Sequence, residues 1–221
     1  MTEEIVVIGA GGFGRETLDV IEAARAAGEA LEVLGVVDTG PRDIDLQRLA
    51  DRGVAYLGTD DDWLPTARVS VRYIAAIGDP RVRAKVVRRF DAAGLRAISV
   101  IHPRADVGSR SQIGDGVVVA AGVQVSTNVA LGHHVHLNPG CIIGHDAVLE
   151  DFVSINPGAI ISGNVVVGRR TLVGAGAVVL QGLTVGEDAT VGAAACAVRS
   201  VSAGTTVVGV PAHPLTKGAG Q

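Results

Sequence analysis

Aromatic residues are nearly missing from this chain, which has three Phe, two Tyr and one Trp among 221 residues, 3% in all. That is thin for an ordinary globular core, so the buried area must come from columns of Val, Ile and Leu instead. Cysteine is scarce as well, and Cys141 and Cys196 lie in different registers with no reason to pair, so both read as packing residues rather than as a disulfide or a nucleophile. No sign of charge dominates. Thirteen basic residues face sixteen acidic ones before residue 100 and six face seven after it, for a net −4, which excludes the basic footprint of a nucleic-acid or acidic-membrane binder. No apolar run approaches the length of a membrane span. Met1 to Glu4 lead straight into a strand without a basic region and cleavage site, so a cytoplasmic protein without membrane insertion is expected.

What the chain does have is a repeat. From Val107 to Val191 every sixth residue is Val, Ile or Leu, with glycine often next, as at Gly108, Gly114, Gly132, Gly144, Gly168, Gly174, Gly186 and Gly192. The fourth residue after each apolar one is small or β-branched, as at Cys141, Ala147, Val153, Ala159 and Ala177. Such a period predicts a parallel β-helix, in which short strands and tight turns bury one side chain per hexad. Three hexads close one triangular coil, so residues eighteen apart stack at about 4.8 Å. Fifteen hexads predict five coils without an interrupting loop. Any pocket that reads a substrate must then come from the first hundred residues or from another subunit.

The pattern changes near residue 100, which predicts two domains, residues 1–99 and 100–221. Ile5 to Ile8 reads as a buried strand, Gly9-Ala10-Gly11-Gly12-Phe13-Gly14 as a glycine turn, and Arg15 to Ala27 as a helix stopped by Gly28. Leu31 to Val37 forms a second strand ending at Asp38, and Tyr73 to Ile77 a further one leading to Gly78. Asp79 and Pro80 then look like the N-cap and first residue of a helix over Arg81 to Ala92. The spacing of Gly9, Gly11 and Gly14, with Asp38 after the next strand, fits a nucleotide-binding βα turn, although close helix-strand packing explains the same glycines. About ninety residues hold four or five strands, too few for a full dinucleotide fold. A nucleoside mono- or diphosphate fits better than NAD.

All six histidines follow residue 100. None makes a His-x4-His pair, so no metal site is expected. His145 occupies an outward turn position with Asp146 beside it, the pairing a general base needs. Gly163 stacks one coil above it, leaving room for a backbone N–H to meet a thioester oxygen. His133, His134 and His136 lack such an acid and read as surface or subunit-contact residues.

Taken together, the segments IVVIGAGGFGRE, GVVD, AAIGDP, ISVIHPRA, NPGCIIGHDAVLEDFVSINPGAIISGNVVVG and VVGVPA resemble the bacterial sugar O- and N-acyltransferases of the left-handed β-helix superfamily. These include UDP-4-amino-sugar N-acetyltransferases and sialic acid O-acetyltransferases. The resemblance implies a Rossmann-like α/β domain followed by a left-handed parallel β-helix, a homotrimer, acetyl-CoA bound along the β-helix between subunits, and a nucleotide-sugar on the amino-terminal domain. It places the catalytic base on His145 and the acid that raises its basicity on Asp146. Coenzyme A contacts fall on Asn138, Ser154, Gly163, Ala175 and Ala193, and acceptor contacts on Gly11, Gly12, Phe13, Asp38, Thr39 and Gly78. Amino-sugar members often carry histidine where this chain has Phe13 and Ser154. The expected activity is N-acetylation of a nucleotide-linked amino sugar by direct transfer. The alternatives are O-acetylation of a sialic-acid-type sugar, an NAD-dependent oxidoreductase, and a non-catalytic trimeric scaffold or nucleotide-sugar sensor.

Overall fold

A computed structural model describes residues 2–215. Met1 and the tail from 216 to 221, which the sequence assigns to the outer ends of the two domains, lie outside the described residues. The first unit is a four-stranded, all-parallel sheet. Its β1 (Glu3–Ile8) pairs with β2 (Leu31–Val37) on one side and β3 (Arg72–Ala75) on the other, and the short β4 (Arg96–Ala97) lies outside β3. Alternation along β1 decides what packs where. Ile5 and Val7 join Leu18 and Ile21 of α1 (Gly12–Ala26), whereas Val6 and Ile8 join Val87 and Phe90 of α4 (Pro80–Ala92) on the opposite side. Asp79 caps α4 as expected, accepting the N–H groups of Arg81 and Val82. Two short helices that the sequence pattern does not announce, α2 (Asp43–Asp51) and α3 (Asp60–Trp63), fill the connection from β2 to β3.

After the two residues Ile98 and Ser99 the chain enters the β-helix. Face 1 stacks the strands that begin at Val100, Val118, His136, Ser154, Leu172, Thr190 and Thr206. Face 2 stacks those from Asp106, Gln124, Ile142, Ile160, Val178 and Cys196, and face 3 those from Gln112, Ala130, Val148, Val166 and Thr184. Residues eighteen apart pair in parallel, as His136 with Ser154 and Ile142 with Ile160. The helix has about six turns rather than five, because Ile101 and Ala197 extend the register at each end of the run. The last coil is shortened: Val185 bridges Val201 and Val191 pairs with Val207, sixteen residues on instead of eighteen.

Each hexad turns a corner with one residue in the left-handed backbone region, at every sixth position from Arg110 to Ala194. Glycine fills several of these positions, but Asn128, His134, Asp146 and Phe152 hold φ between 56° and 62° without it. The glycines just after the apolar residues serve differently. A Cβ on Gly144 would lie 2.5 Å from the Gly163 nitrogen in the next coil, so they permit coil-to-coil contact. The amino-terminal unit rests on face 1, where α1 packs against the first strand and the core runs unbroken from Leu18 and Ile21 through Val100 into the β-helix.

Candidate active site

His145 and Asp146 lie on the corner between faces 2 and 3, with side chains 59% and 44% exposed, so both are open to a substrate. Asp146 follows His145 in the left-handed conformation, φ 60°, which turns its carboxylate back onto the neighbouring ring. His145 Nδ1 stands 2.7 Å from Asp146 Oδ2, and the hydrogen bonds from His145 and Asn128 hold the Asp146 carboxyl below the usual carboxylate range. An ionised carboxylate only accepts, so in the neutral ring this contact favours the tautomer with the proton on Nδ1 and the lone pair on Nε2. The ring sits against Gly163 of the next coil. A Cβ on Gly163 would meet His145 Nε2 at 2.5 Å and Cε1 at 2.6 Å, so only glycine leaves the ring where it is. The Gly163 N–H has no acceptor among the described residues, which leaves it free beside that ring.

His133 occupies the same hexad position twelve residues earlier and is wired the opposite way. Its Nδ1 accepts the Asp115 N–H at 3.0 Å, which puts the proton of the neutral ring on Nε2. An imidazole so arranged has no free lone pair to offer.

The expected acceptor residues gather elsewhere, at the carboxyl ends of β1, β2 and β3. Helix α1 carries the chain from β1 to β2 on one side, and β3 returns to the other, so the crevice between the Gly9–Phe13 loop and Gly78 is a topological switch point. The N-cap Gly11 offers no side chain and the first turn of α1 has no acidic residue, so its leading N–H groups face outward unneutralised. Asp38 does not point into open space. Its two oxygens accept the N–H groups of Ala10, at 2.7 Å, and Gly40, at 2.9 Å, which ties the first two loops together. Thr39 is exposed and donates to the buried Asp60. Phe13 packs its ring 4.5 Å from that of His136.

The remaining expected contacts are dispersed. Asn138, Ala175 and Ala193 line the corner between faces 1 and 2, with Ala175 and Ala193 stacked eighteen apart and Asn138 donating to Ile155 O at 2.9 Å. Ser154 sits on face 1, 2% exposed, beneath the loop at Gly78, whose carbonyl it reaches at 3.3 Å. A separate cavity of about 1060 Å³ lies between β4, α4 and the corner at Asp115, His133 and Phe152. It borders neither the glycine loop nor His145. Among the described residues no cluster of His, Cys, Asp and Glu could hold a metal ion, and no helix is long and apolar enough to cross a membrane.

Residues 4–90 match the model of the PglD N-terminal domain, and residues 146–181 that of the bacterial transferase hexapeptide (six repeats). A histidine-to-asparagine variant of perosamine N-acetyltransferase from Caulobacter crescentus, solved with CoA and GDP-perosamine, is 33% identical. It superposes with a TM-score of 0.85 over 98% of this chain and 99% of that one. The acetyltransferase domain of PglB from Neisseria gonorrhoeae FA1090 is 31% identical, with a TM-score of 0.83 over 97% of this chain and 100% of that one. The chain belongs to the sugar acyltransferases of the left-handed β-helix. GDP-perosamine N-acetyltransferase of Escherichia coli O157:H7 is 29% identical over 147 residues, 66% of this chain, a stretch that spans 63% of that relative's length.

Two features of this acyltransferase escape a sequence reading. His134 and His136, expected as surface or subunit-contact residues, are 5% and 1% exposed because the amino-terminal unit of the same chain covers face 1 and its adjoining corner. His134 is stacked on Phe152 and Tyr73, with ring centroids 5.1 and 6.1 Å away, and burial pulls it down to about 4. Neither ring nitrogen of His136 has a hydrogen-bond partner among the described residues, and burial pulls it well below its usual range, so both rings are neutral at neutral pH. The second feature is Arg83, which is fully buried. It donates to the carbonyls of Ile77 (2.6 Å), His134 (3.1 Å) and Phe152 (2.8 Å) and to Ser154 Oγ (3.0 Å), strapping the Gly78 loop to the β-helix. Burial lowers the guanidinium to about 9, which still leaves it charged at neutral pH. Only the α4 spacing that turns Arg83 inward, among Pro80, Ala84 and Val87, signals it in the sequence.

Proposed function

We propose that this acyltransferase moves an acetyl group from acetyl-CoA to the amine of a nucleotide-linked amino sugar, with His145 as general base. The observation that carries the reading is the 2.7 Å contact of His145 Nδ1 with Asp146, which frees Nε2, set against the reversed wiring of His133. Relatives support the substrate class, since perosamine N-acetyltransferase has been solved with CoA and GDP-perosamine and the PglB domain with acetyl-CoA. An amine at neutral pH is mostly protonated. It reacts after losing one proton to solvent: His145 Nε2 takes a second proton from the nitrogen as the neutral amine attacks the thioester carbonyl, the Gly163 N–H faces the developing oxyanion, and coenzyme A leaves as a thiolate that the protonated His145 can reprotonate. No acyl-enzyme is needed. Cys141 is buried, which pushes its thiol up to about 12, and it lies inside the helix away from the corner.

The acceptor belongs in the crevice at Gly11, Gly12, Phe13, Asp38, Thr39 and Gly78, where the amino end of α1 suits a diphosphate. Asn138, Gly163, Ala175 and Ala193 remain the proposed coenzyme A contacts, with Ala175 and Ala193 offering a smooth corner for the chain to run along; Ser154, expected among them, is covered by the Gly78 loop and engaged by Arg83, so it is not open to the cofactor within this protomer. Within one protomer this crevice faces face 1, whereas His145 stands on the corner opposite that face. The two halves therefore meet between protomers. Apolar side chains flank the His145 corner on both sides, Ile142 (40% exposed) on face 2 and Val148 (38%) and Val166 (37%) on face 3, as a three-fold packing of identical subunits requires. A cytoplasmic location and a metal-free reaction complete the proposal.

The test is an assay of acetyl-CoA with a panel of GDP-, UDP- and dTDP-linked amino sugars and with sialic-acid-type hydroxyl acceptors. Release of coenzyme A with an amide product is expected. An ester product would move the reading to O-acetylation, and coenzyme A binding without release across the panel would favour a scaffold.

A further inference from the structure

Asp146 is held from two sides. One oxygen, Oδ2, meets His145 Nδ1 at 2.7 Å, and the other, Oδ1, lies 3.2 Å from the Nδ2 of Asn128, one coil earlier at the equivalent corner position. A side-chain oxygen of Asn128 facing an ionised carboxylate would repel it, so the amide nitrogen is the group turned toward Asp146. A carboxylate engaged through one oxygen rotates about its Cβ–Cγ bond and samples solvent; engaged through both, it offers the ring a fixed acceptor. Resting on the reading of His145 as base, we infer that Asn128 is a positioning residue. It locks the Asp146 carboxylate so that His145 keeps its proton on Nδ1 and its lone pair on Nε2.

Backbone conformation alone does not account for this asparagine. Asn128 has φ 60°, a region that asparagine tolerates well, but the same corner position holds Arg110 at φ 62°, Asp146 at 60°, Asn164 at 56° and Gly182 at 71° in neighbouring coils. Packing does not account for it either, because Asn128 is exposed and reaches only Asp146 among side chains of the described residues. The consequence to look for is in the tautomer of His145 rather than in folding.

Asn128→Gly separates the two explanations, since glycine relieves the left-handed backbone while deleting the amide. Arg110→Gly makes the same backbone change one coil earlier, away from the dyad. The full-length protein carrying ¹⁵N-histidine is measured without any substrate, alongside kcat and the KM for acetyl-CoA. In the parent and in Arg110→Gly, His145 is expected in the single Nδ1–H tautomer. In Asn128→Gly a mixture of tautomers is expected, with kcat lower by about three- to tenfold, unchanged KM for acetyl-CoA and unchanged or higher thermal stability. Asn128→Asp, which opposes one carboxylate with another, should lower kcat at least as far. A single tautomer persisting in Asn128→Gly overturns the inference, whether or not kcat falls. If instead His145→Ala keeps the parent kcat, the base assignment is what fails, and the tautomer measurement still reports on Asn128 by itself.

Discussion

Two corners of the same β-helix, built on the same hexad, have opposite fates. At the corner between faces 3 and 1, His133 and His134 precede a strand covered by the amino-terminal unit, and His134 is buried against Tyr73 and Phe152. At the corner between faces 2 and 3, His145 and Asp146 adopt the same backbone, with φ 60° at Asp146 against 56° at His134, and stand in the open. The repeat fixes geometry and leaves chemistry to the neighbours. An acid beside the ring and a glycine above it leave one imidazole open with Nε2 unengaged, as the proposed base requires, while a backbone N–H occupies Nδ1 of His133 and a domain laid over the next residue buries His134.

The largest effect that separates the corners is on turnover. His145→Ala should lower kcat by about 10²–10⁴-fold while acetyl-CoA still binds, and His133→Ala should leave kcat within about twofold. Equal losses in the two variants would erase the distinction. Gly163→Ala sharpens it, because the added Cβ would overlap the His145 ring and must displace it. A fall in kcat of about 10²-fold with little change in melting temperature is expected, since an ångström of misplacement costs that much in rate. Retention of parent kcat in Gly163→Ala would show that the ring does its work in another position.

Much of this was legible in the sequence. The fifteen hexads located His145 at an outward turn, Gly163 above it and Cys141 in the core, because in a repeat a residue's surroundings follow from its number. The βα turn and the cap at Asp79 were equally readable from local rules. What the sequence concealed lies at the junction of the two units. Arg83 is one arginine among several on α4, and nothing local says that acceptors converge on it from the Ile77–Gly78 loop and from His134, Phe152, Val153 and Ser154 of the β-helix. Nor does a period of six reveal which face another unit will cover, so His134 and His136 read as surface or subunit-contact residues until the packing is seen.

That junction predicts a smaller effect with a definite sign. Burial lowers His134 to about 4, whereas in the unfolded chain it titrates near its ordinary 6.5, so between these values the unfolded state binds more protons. The stabilisation it contributes is complete above about pH 6.5 and is lost as the pH falls toward 4, to an extent on the order of 3 kcal/mol. His136 acts in the same direction. Urea midpoints should therefore drop between pH 7.5 and 4.5 in the parent and in His145→Ala alike, and less in His134→Phe. If His145→Ala flattened the profile and His134→Phe did not, acid sensitivity would belong to the exposed corner.

In the proposed assembly the bare corner of one protomer completes the crevice of another. Gly12→Asp supplies the partner needed to test it. The position has open space for a Cβ, an acidic residue suits the first turn of α1, and the added charge repels a diphosphate where the acceptor would sit. His145→Ala and Gly12→Asp should each be close to inactive alone. When the two are co-expressed with different tags and the doubly tagged assemblies are isolated, acetyl transfer should return, because some sites then combine an intact crevice with an intact His145. If the mixed assemblies stay at the level of the two parents, the site is complete within one chain and the account is contradicted.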